Sequence, residues 1–189
     1  VLDKGKIVFD GDVDEGIAIY LAQKSQSTDF VDYSQYKRDN WFKRDNLRLQ
    51  SVRFEVPSVE SIDHTQPLRA EYVIHAREEA QGVGLRFEVR NEVGNPLATS
   101  CLYGLDLHPG ENLFTAEYDL RVLSPGQYSN YFTLFTLGEG GTHTVEDWVP
   151  GIQFRLVHTF LEGELEWNAK EWGAVELPQT RLVEQEHKA

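Results

Sequence analysis

The sequence predicts an all-β protein, an antiparallel sandwich of about eight strands. Three observations carry this reading: apolar and charged residues alternate with period two, turn residues punctuate the alternating segments, and no long helical pattern follows residue 46. Period two with one charged side is the mark of a half-buried antiparallel strand that shows one face to water.

The alternation is explicit in five places. Val52, Phe54 and Val56 alternate with Arg53 and Glu55. Leu68, Ala70, Tyr72 and Ile74 alternate with Arg69, Glu71 and His75. Leu85, Phe87 and Val89 alternate with Arg86, Glu88 and Arg90. Phe114, Ala116, Tyr118 and Leu120 form the fourth run, and Ile152, Phe154 and Leu156 the fifth. Turn signals lie between them at Pro57-Ser58, Gly94-Asn95-Pro96, His108-Pro109-Gly110, Ser124-Pro125-Gly126, 138–141 and Pro150-Gly151. The longest strand candidate is GQYSNYFTLFTL over 126–137. Tyr128, Phe132 and Leu134 fall on one side of it, and Ser129, Tyr131, Thr133 and Phe135 on the other. Both sides carry aromatics, so this is either a central covered strand or one whose outer face is a binding platform. Periodicity leaves immunoglobulin-like and jelly-roll connections equally open.

Upstream, residues 1–11 read as a small hairpin that turns at Asp3-Lys4-Gly5. A helix follows, with Asp12 as N-cap, Glu15 closing a capping box, and Val13, Ile17, Tyr20 and Leu21 as its apolar stripe. This opening reads as the end of something larger, and the absence of any methionine fits that expectation. The expected organisation is a hairpin–helix segment over 1–24, a polar linker over 25–46 anchored by Trp41-Phe42, the sandwich over 47–178, and a charged, frayed tail over 179–189. The segment 162–178 carries Trp167 and Trp172 and ends in a strand-like run over 173–177.

Composition narrows the function classes. The chain of 189 residues is 40% hydrophobic and 12% aromatic, enough for one full core. A net charge of −13 disfavours nucleic acid and anionic lipid, and leaves neutral ligands such as sugars compatible. No segment reaches the roughly 18–20 apolar residues of a membrane span, so no direct membrane insertion is expected. Cys101 is the single cysteine and reads as a small buried strand residue.

Catalytic and metal-binding patterns fail on spacing. Asp10, Asp12 and Asp14 evoke a calcium loop, but Glu15 and Leu21 occupy the places of its glycine and its bidentate glutamate. The six histidines form no close pair with metal-ligand spacing. Glu162, Glu164, Glu166 and Glu171 read as a solvated edge rather than a glycosidase pair. There is no GxxxxGK[ST] loop, so ATP hydrolysis is not expected of this chain, and no cofactor is implied.

Aromatic rings on a stiff sheet remain. A sugar's apolar C–H face stacks on such a ring while side-chain hydrogen bonds orient its hydroxyls. Arg86, Glu88, Tyr103, Tyr131 and Thr133 are the candidate glycan-binding residues, selected by strand parity.

The phrase GKIVFDGDVDEGIAIYL, the polar linker, the alternating strands, the SPGQY approach to the long strand and EWGAVEL near the end occur in that order. Together they resemble the C-terminal carbohydrate-binding domain of Wzt, the ATP-binding subunit of ABC exporters of bacterial O-antigen polysaccharide. The resemblance implies an immunoglobulin-like sandwich and non-catalytic recognition of the glycan, often at a modified non-reducing end. Its implied partners are O-antigen polysaccharide, a second copy in a homodimer, and the ATPase domain and permease of the exporter. Exchange of the last strand between copies is a family possibility, and a cytoplasmic position at the inner face of the inner membrane follows. Contact residues do not transfer by motif, because members bind different glycans. The alternative expectation is a purely structural dimerisation or docking domain.

Overall fold

The structure is a computed structural model and describes residues 2–3, 6–7, 9–11, 28–38, 44–158 and 167–175. Strands β1 (Leu2–Asp3) and β2 (Lys6–Ile7) pair antiparallel, as expected for the opening hairpin. The expected helix over 12–21, the Trp41-Phe42 anchor, the glutamates at 162–166 and the tail over 179–189 lie outside the described residues.

Ten further strands form two sheets. One has the order β3 (Phe30–Asp32), β4 (Leu47–Phe54), β6 (Leu68–Ala76), β9 (Gly110–Tyr118). The other has the order β5 (Ile62–Asp63), β12 (Phe154–Val157), β10 (Gly126–Leu137), β7 (Ala80–Arg90), β8 (Pro96–Leu107). Strand β11 (His143–Pro150) pairs with β10 on the same edge as β12. The chain therefore crosses between sheets at β4→β5, β5→β6, β6→β7, β8→β9 and β9→β10. The partners that result, β6 with β9 and β7 with β10, are the Greek-key pairing of immunoglobulin-like sandwiches. One pair departs from the antiparallel expectation: β5 runs parallel to β12.

The core is what period two demands. Val52, Phe54, Ala70, Tyr72 and Ile74 from one sheet meet Val83, Phe87, Phe132, Phe154 and Leu156 from the other, all essentially without solvent contact. Phe87 stacks on Tyr118 with ring centroids 4.4 Å apart, and Tyr72 meets Phe132 edge to face at 5.4 Å. The Tyr72 and Tyr118 hydroxyls satisfy one another at 2.7 Å inside this apolar space. Desolvation pushes the Tyr118 hydroxyl up to about 12.

Residues 28–38, expected as linker, join the sandwich. Strand β3 pairs with β4, and Tyr33 is buried with its hydroxyl donating to Pro150 O at 2.6 Å. Arg38 reaches across to β11 and grips Asp147 with two hydrogen bonds, Nε to Oδ1 at 3.1 Å and Nη2 to Oδ2 at 2.9 Å. It also donates to the carbonyls of Tyr33, Tyr36 and Leu49.

Strand β11 was not marked by alternation. An extra residue, Glu146, bulges out of its pairing with β10 between Asp147 and Val145. Glu146 and Asp147 are both buried in consequence. Glu146 accepts from Arg44 at 3.0 Å and Thr136 at 3.1 Å, and Asp147 accepts from Arg38, Arg48, Leu49 N and Trp148 N. Beyond β11, Gly151 makes the step into β12: a Cβ there would run into the Asn130 side chain, whose Oδ1 accepts from Ile152 N at 2.6 Å.

After residue 166, a one-turn helix α1 (Ala169–Trp172) closes at Gly173, φ +92°. Trp167 donates to Gly173 O at 2.8 Å and meets Trp172 edge to face at 5.6 Å. Val175 then bridges Leu123 of the same chain, and Ser124 N donates to Ala174 O. Of the strand-like run expected over 173–177, residues 176 and 177 lie outside the described residues.

Candidate glycan-binding face

Strand pairing lays out the outer face of the six-stranded sheet as a grid, since antiparallel partners share a face. Glu88 lies opposite Tyr131, which lies opposite Pro150. Arg86 lies opposite Thr133, which lies opposite Trp148. Gly84 lies opposite Phe135, which lies opposite Val145. On the other side of β7, Arg86 faces Cys101 and Glu88 faces Thr99 of β8.

Two aromatic stations stand on this grid. At one, Tyr131 and Trp148 stack nearly parallel, centroids 4.5 Å apart and 10° between planes. The Arg90 guanidinium lies 4.4 Å from the Tyr131 centroid and is neutralised by Glu88, with Nη2 to Oε1 at 2.6 Å. At the other, Phe135 lies across Gly84, where a Cβ would overlap its ring. Tyr103 and His143 meet Phe135 edge to face at 5.8 Å and 6.1 Å. Tyr103 is 59% exposed, and it stands in a bulge of β8 where Gly104 takes φ +78°. The Cys101 thiol beside it holds the Tyr103 hydroxyl above its ordinary value. The stations are four residues apart on β10, about 13 Å along the strand.

Between them sits Arg86. Its Nη2 donates to Thr133 Oγ1 at 3.1 Å, and its Nε is buried without a hydrogen-bond partner.

The five residues selected by parity therefore share one face of one sheet. Arg86 and Thr133 are bonded, Glu88 and Tyr131 are cross-strand neighbours, and Tyr103 belongs to the second station. Thr133 is 1% exposed, so its hydroxyl serves Arg86 rather than a ligand. Cys101, expected as a small buried strand residue, lies on a strand but is only half-buried, on this outward face. Sequence reasoning missed Trp148, Arg90, Phe135 and His143 as members. Trp148 was findable: HTVEDWV lies between the turn at 138–141 and Pro150-Gly151, a segment of strand length.

Elsewhere, His64 and His158, read as unclustered, meet with Nε2 and Nδ1 3.1 Å apart, and His64 Nδ1 lies 2.9 Å from Leu123 O. Among the described residues no group of three metal-ligating side chains forms, and no helix is long and apolar enough to cross a membrane.

No protein-family profile and no curated protein matches this sequence. Among solved structures, a β-glucosidase, EmGH1 from Erythrobacter marinus, aligns with TM-score 0.35 and 13% identity over 59% of this chain and 15% of its own. A putative ApaA protein from Bordetella pertussis aligns with TM-score 0.28 and 17% identity over 59% and 91%. Both are too distant to carry an argument about fold. The crystal structure of the C-terminal domain of Wzt aligns with TM-score 0.57 and 11% identity over 75% of this chain and 86% of its own. The chain is thus an all-β sandwich similar in fold to the C-terminal domain of Wzt.

Proposed function

We propose that this domain is a non-catalytic glycan-recognition module of an O-antigen polysaccharide exporter. It holds the polysaccharide, at its non-reducing end, on the outer face of the six-stranded sheet and couples that capture to export. The observation that carries the reading is the face itself: the Tyr131–Trp148 stack and the Tyr103–Phe135 pair lie on one rigid sheet with polar groups between them. The likeness of fold to the C-terminal domain of Wzt and the opening GKIVFDGDVDEGIAIYL support the exporter setting. In that setting the module works as a homodimer in the cytoplasm, against the ATPase domain and permease.

Holding rather than cleaving is the better fit to the groups present. A glycosidase needs two carboxylates some 5–10 Å apart across the sugar, one of them free to act as acid. Glu88 is held by Arg90, and the groups around the ring pair are arginine, threonine and aromatic.

Calorimetric titration with purified O-polysaccharide from the source bacterium tests the proposal. A saturable heat that disappears in Trp148→Ala is expected; absence of any heat with the unaltered protein overturns it. A purely structural dimerisation role draws on a different observation, the exposure of Trp172 (44%) and Val175 (41%) beside the Leu123 bridge. It requires Trp172→Ala to dissociate a dimer in sedimentation experiments while the polysaccharide produces no heat.

A further inference from the structure

The ten arginines among the described residues divide unevenly. Eight are ion-paired: Arg38 and Arg48 with Asp147, Arg44 with Glu146, Arg53 with Asp29, Arg69 with Glu55, Arg77 with Asp45, Arg90 with Glu88, and Arg121 with Asp119. Arg155 is exposed and has no carboxylate partner among the described residues. Arg86 alone is half-buried and has no carboxylate within 4 Å among the described residues. One of its nitrogens is bonded to Thr133, and its Nε is buried and unmatched. In a chain of net charge −13, carboxylates are abundant, yet the centre of the ring face holds a half-buried cation without one among the described residues. The closed-off Nε costs free energy where it stands, and Nη1, which makes no hydrogen bond among the described residues and is not buried, is the donor an incoming anion meets.

We infer that Arg86 forms the acidic-sugar subsite of this face: it receives the carboxylate of a uronic-acid-type residue whose ring, or whose neighbours' rings, lie on Tyr131–Trp148 and Tyr103–Phe135. This inference rests on the glycan-binding reading above. A guanidinium presents several N–H donors in a planar fork that matches a carboxylate, and the single positive charge equals the single charge of a uronate. A phosphate monoester, at −1.5 to −2, leaves excess negative charge on a molecule that already carries −13. The surrounding acidity also restricts the ligand. With charges felt over about 8 Å at physiological salt, a dense polyanion is repelled, whereas one carboxylate set among neutral sugars reaches Arg86 alone.

The site has its own reporters. Cys101, the chain's single cysteine, is the cross-strand partner of Arg86 and lies beside Tyr103, so its alkylation by uncharged iodoacetamide reads occupancy of this part of the face. The Arg86 Nε–Hε resonance is the second. The probes are sodium D-glucuronate, methyl α-D-glucopyranoside, glucose 6-phosphate and inorganic phosphate, at ionic strength matched with sodium chloride.

Glucuronate is expected to shift the Arg86 resonance saturably and slow Cys101 alkylation, with half-saturation at least tenfold below that of the methyl glucoside. Arg86→Gln removes the preference and Arg86→Lys keeps part of it, both with a melting temperature near that of the unaltered protein. An Arg86→Gln protein that keeps the preference overturns the inference, and so does equal or stronger binding of glucose 6-phosphate or inorganic phosphate. Equal binding of the neutral and acidic sugars overturns the acidic subsite and leaves glycan binding standing. No saturable response to any sugar brings down both.

Discussion

On the outer face of the four-stranded sheet, Arg69 pairs with Glu55, Arg53 pairs with Asp29 while lying over the Phe30 ring, and Leu113 projects into water at 67% exposure opposite Val73. On the outer face of the six-stranded sheet, the same period-two rhythm sets Tyr131 on Trp148, Tyr103 on Phe135, and a half-buried Arg86 between them. The first face is a solvated surface whose charges satisfy each other. The second carries half-buried Tyr131 and Trp148, exposed Tyr103 over buried Phe135, and one unmatched cation, on β7, β8, β10 and β11. Alternation alone makes an outward face; the kind of residue placed in the outward positions makes it a surface or a site.

The two faces also differ in what holds them from beneath. Trp148 belongs to a bulged strand whose preceding residue, Asp147, is clasped by Arg38, Arg48 and the Leu49 amide. Asp147→Ala leaves buried guanidinium groups uncompensated and is expected to cost about 3–5 kcal/mol in urea unfolding, the largest single effect. The core shared by both faces sets the alkaline limit. Tyr118 ionises near 10 when unfolded and near 12 when folded, so its contribution is complete below pH 10 and is lost as pH rises toward 12. Tyr118 is expected to account for on the order of 2–3 kcal/mol of the loss across that window, buried Tyr72 and Tyr33, which desolvation also raises, adding to it. Tyr118→Phe is expected to make the fall shallower in pH-dependent melting curves.

Gly84→Ala drives a methyl into the Phe135 ring and is expected to cost about 1–3 kcal/mol, and to disturb the Tyr103 station while sparing Trp148. Trp148→Ala is expected to weaken polysaccharide binding at least tenfold, about 1.4 kcal/mol, where Leu113→Ala on the other face changes nothing. The smallest effect belongs to the charged surface. Arg69→Ala is expected to change stability by about 0–1 kcal/mol, with binding unaffected.

The sequence made the sandwich legible because its strands obey period two, and the parity of 126–137 placed Tyr128, Phe132 and Leu134 inward and Tyr131, Thr133 and Phe135 on the opposite face, as the strand register has them. It concealed β11, because the bulge at Glu146 sets two acidic residues consecutively inward and makes a strand look like a polar loop. It concealed β3 for another reason. Three residues are too short for periodicity, and the Arg38–Asp147 clasp that secures the segment joins positions 109 apart in the chain. The His64–His158 contact is equally non-local, joining positions 94 apart in the chain. Parity also gives a side chain's direction but not its crowding: Thr133 and Phe135 lie on the outer face and are nevertheless covered.

The difference between the two outer faces is tested most directly by mapping amide and side-chain NMR shifts while the O-polysaccharide is added. Saturable shifts confined to β7, β8, β10 and β11, with Trp148, Tyr131 and Arg86 among the largest, are the expected result. Shifts concentrated on Arg69, Glu71 and Leu113 of the four-stranded sheet, or no shifts at all, contradict the assignment of the ring-bearing face as the place where glycan lies.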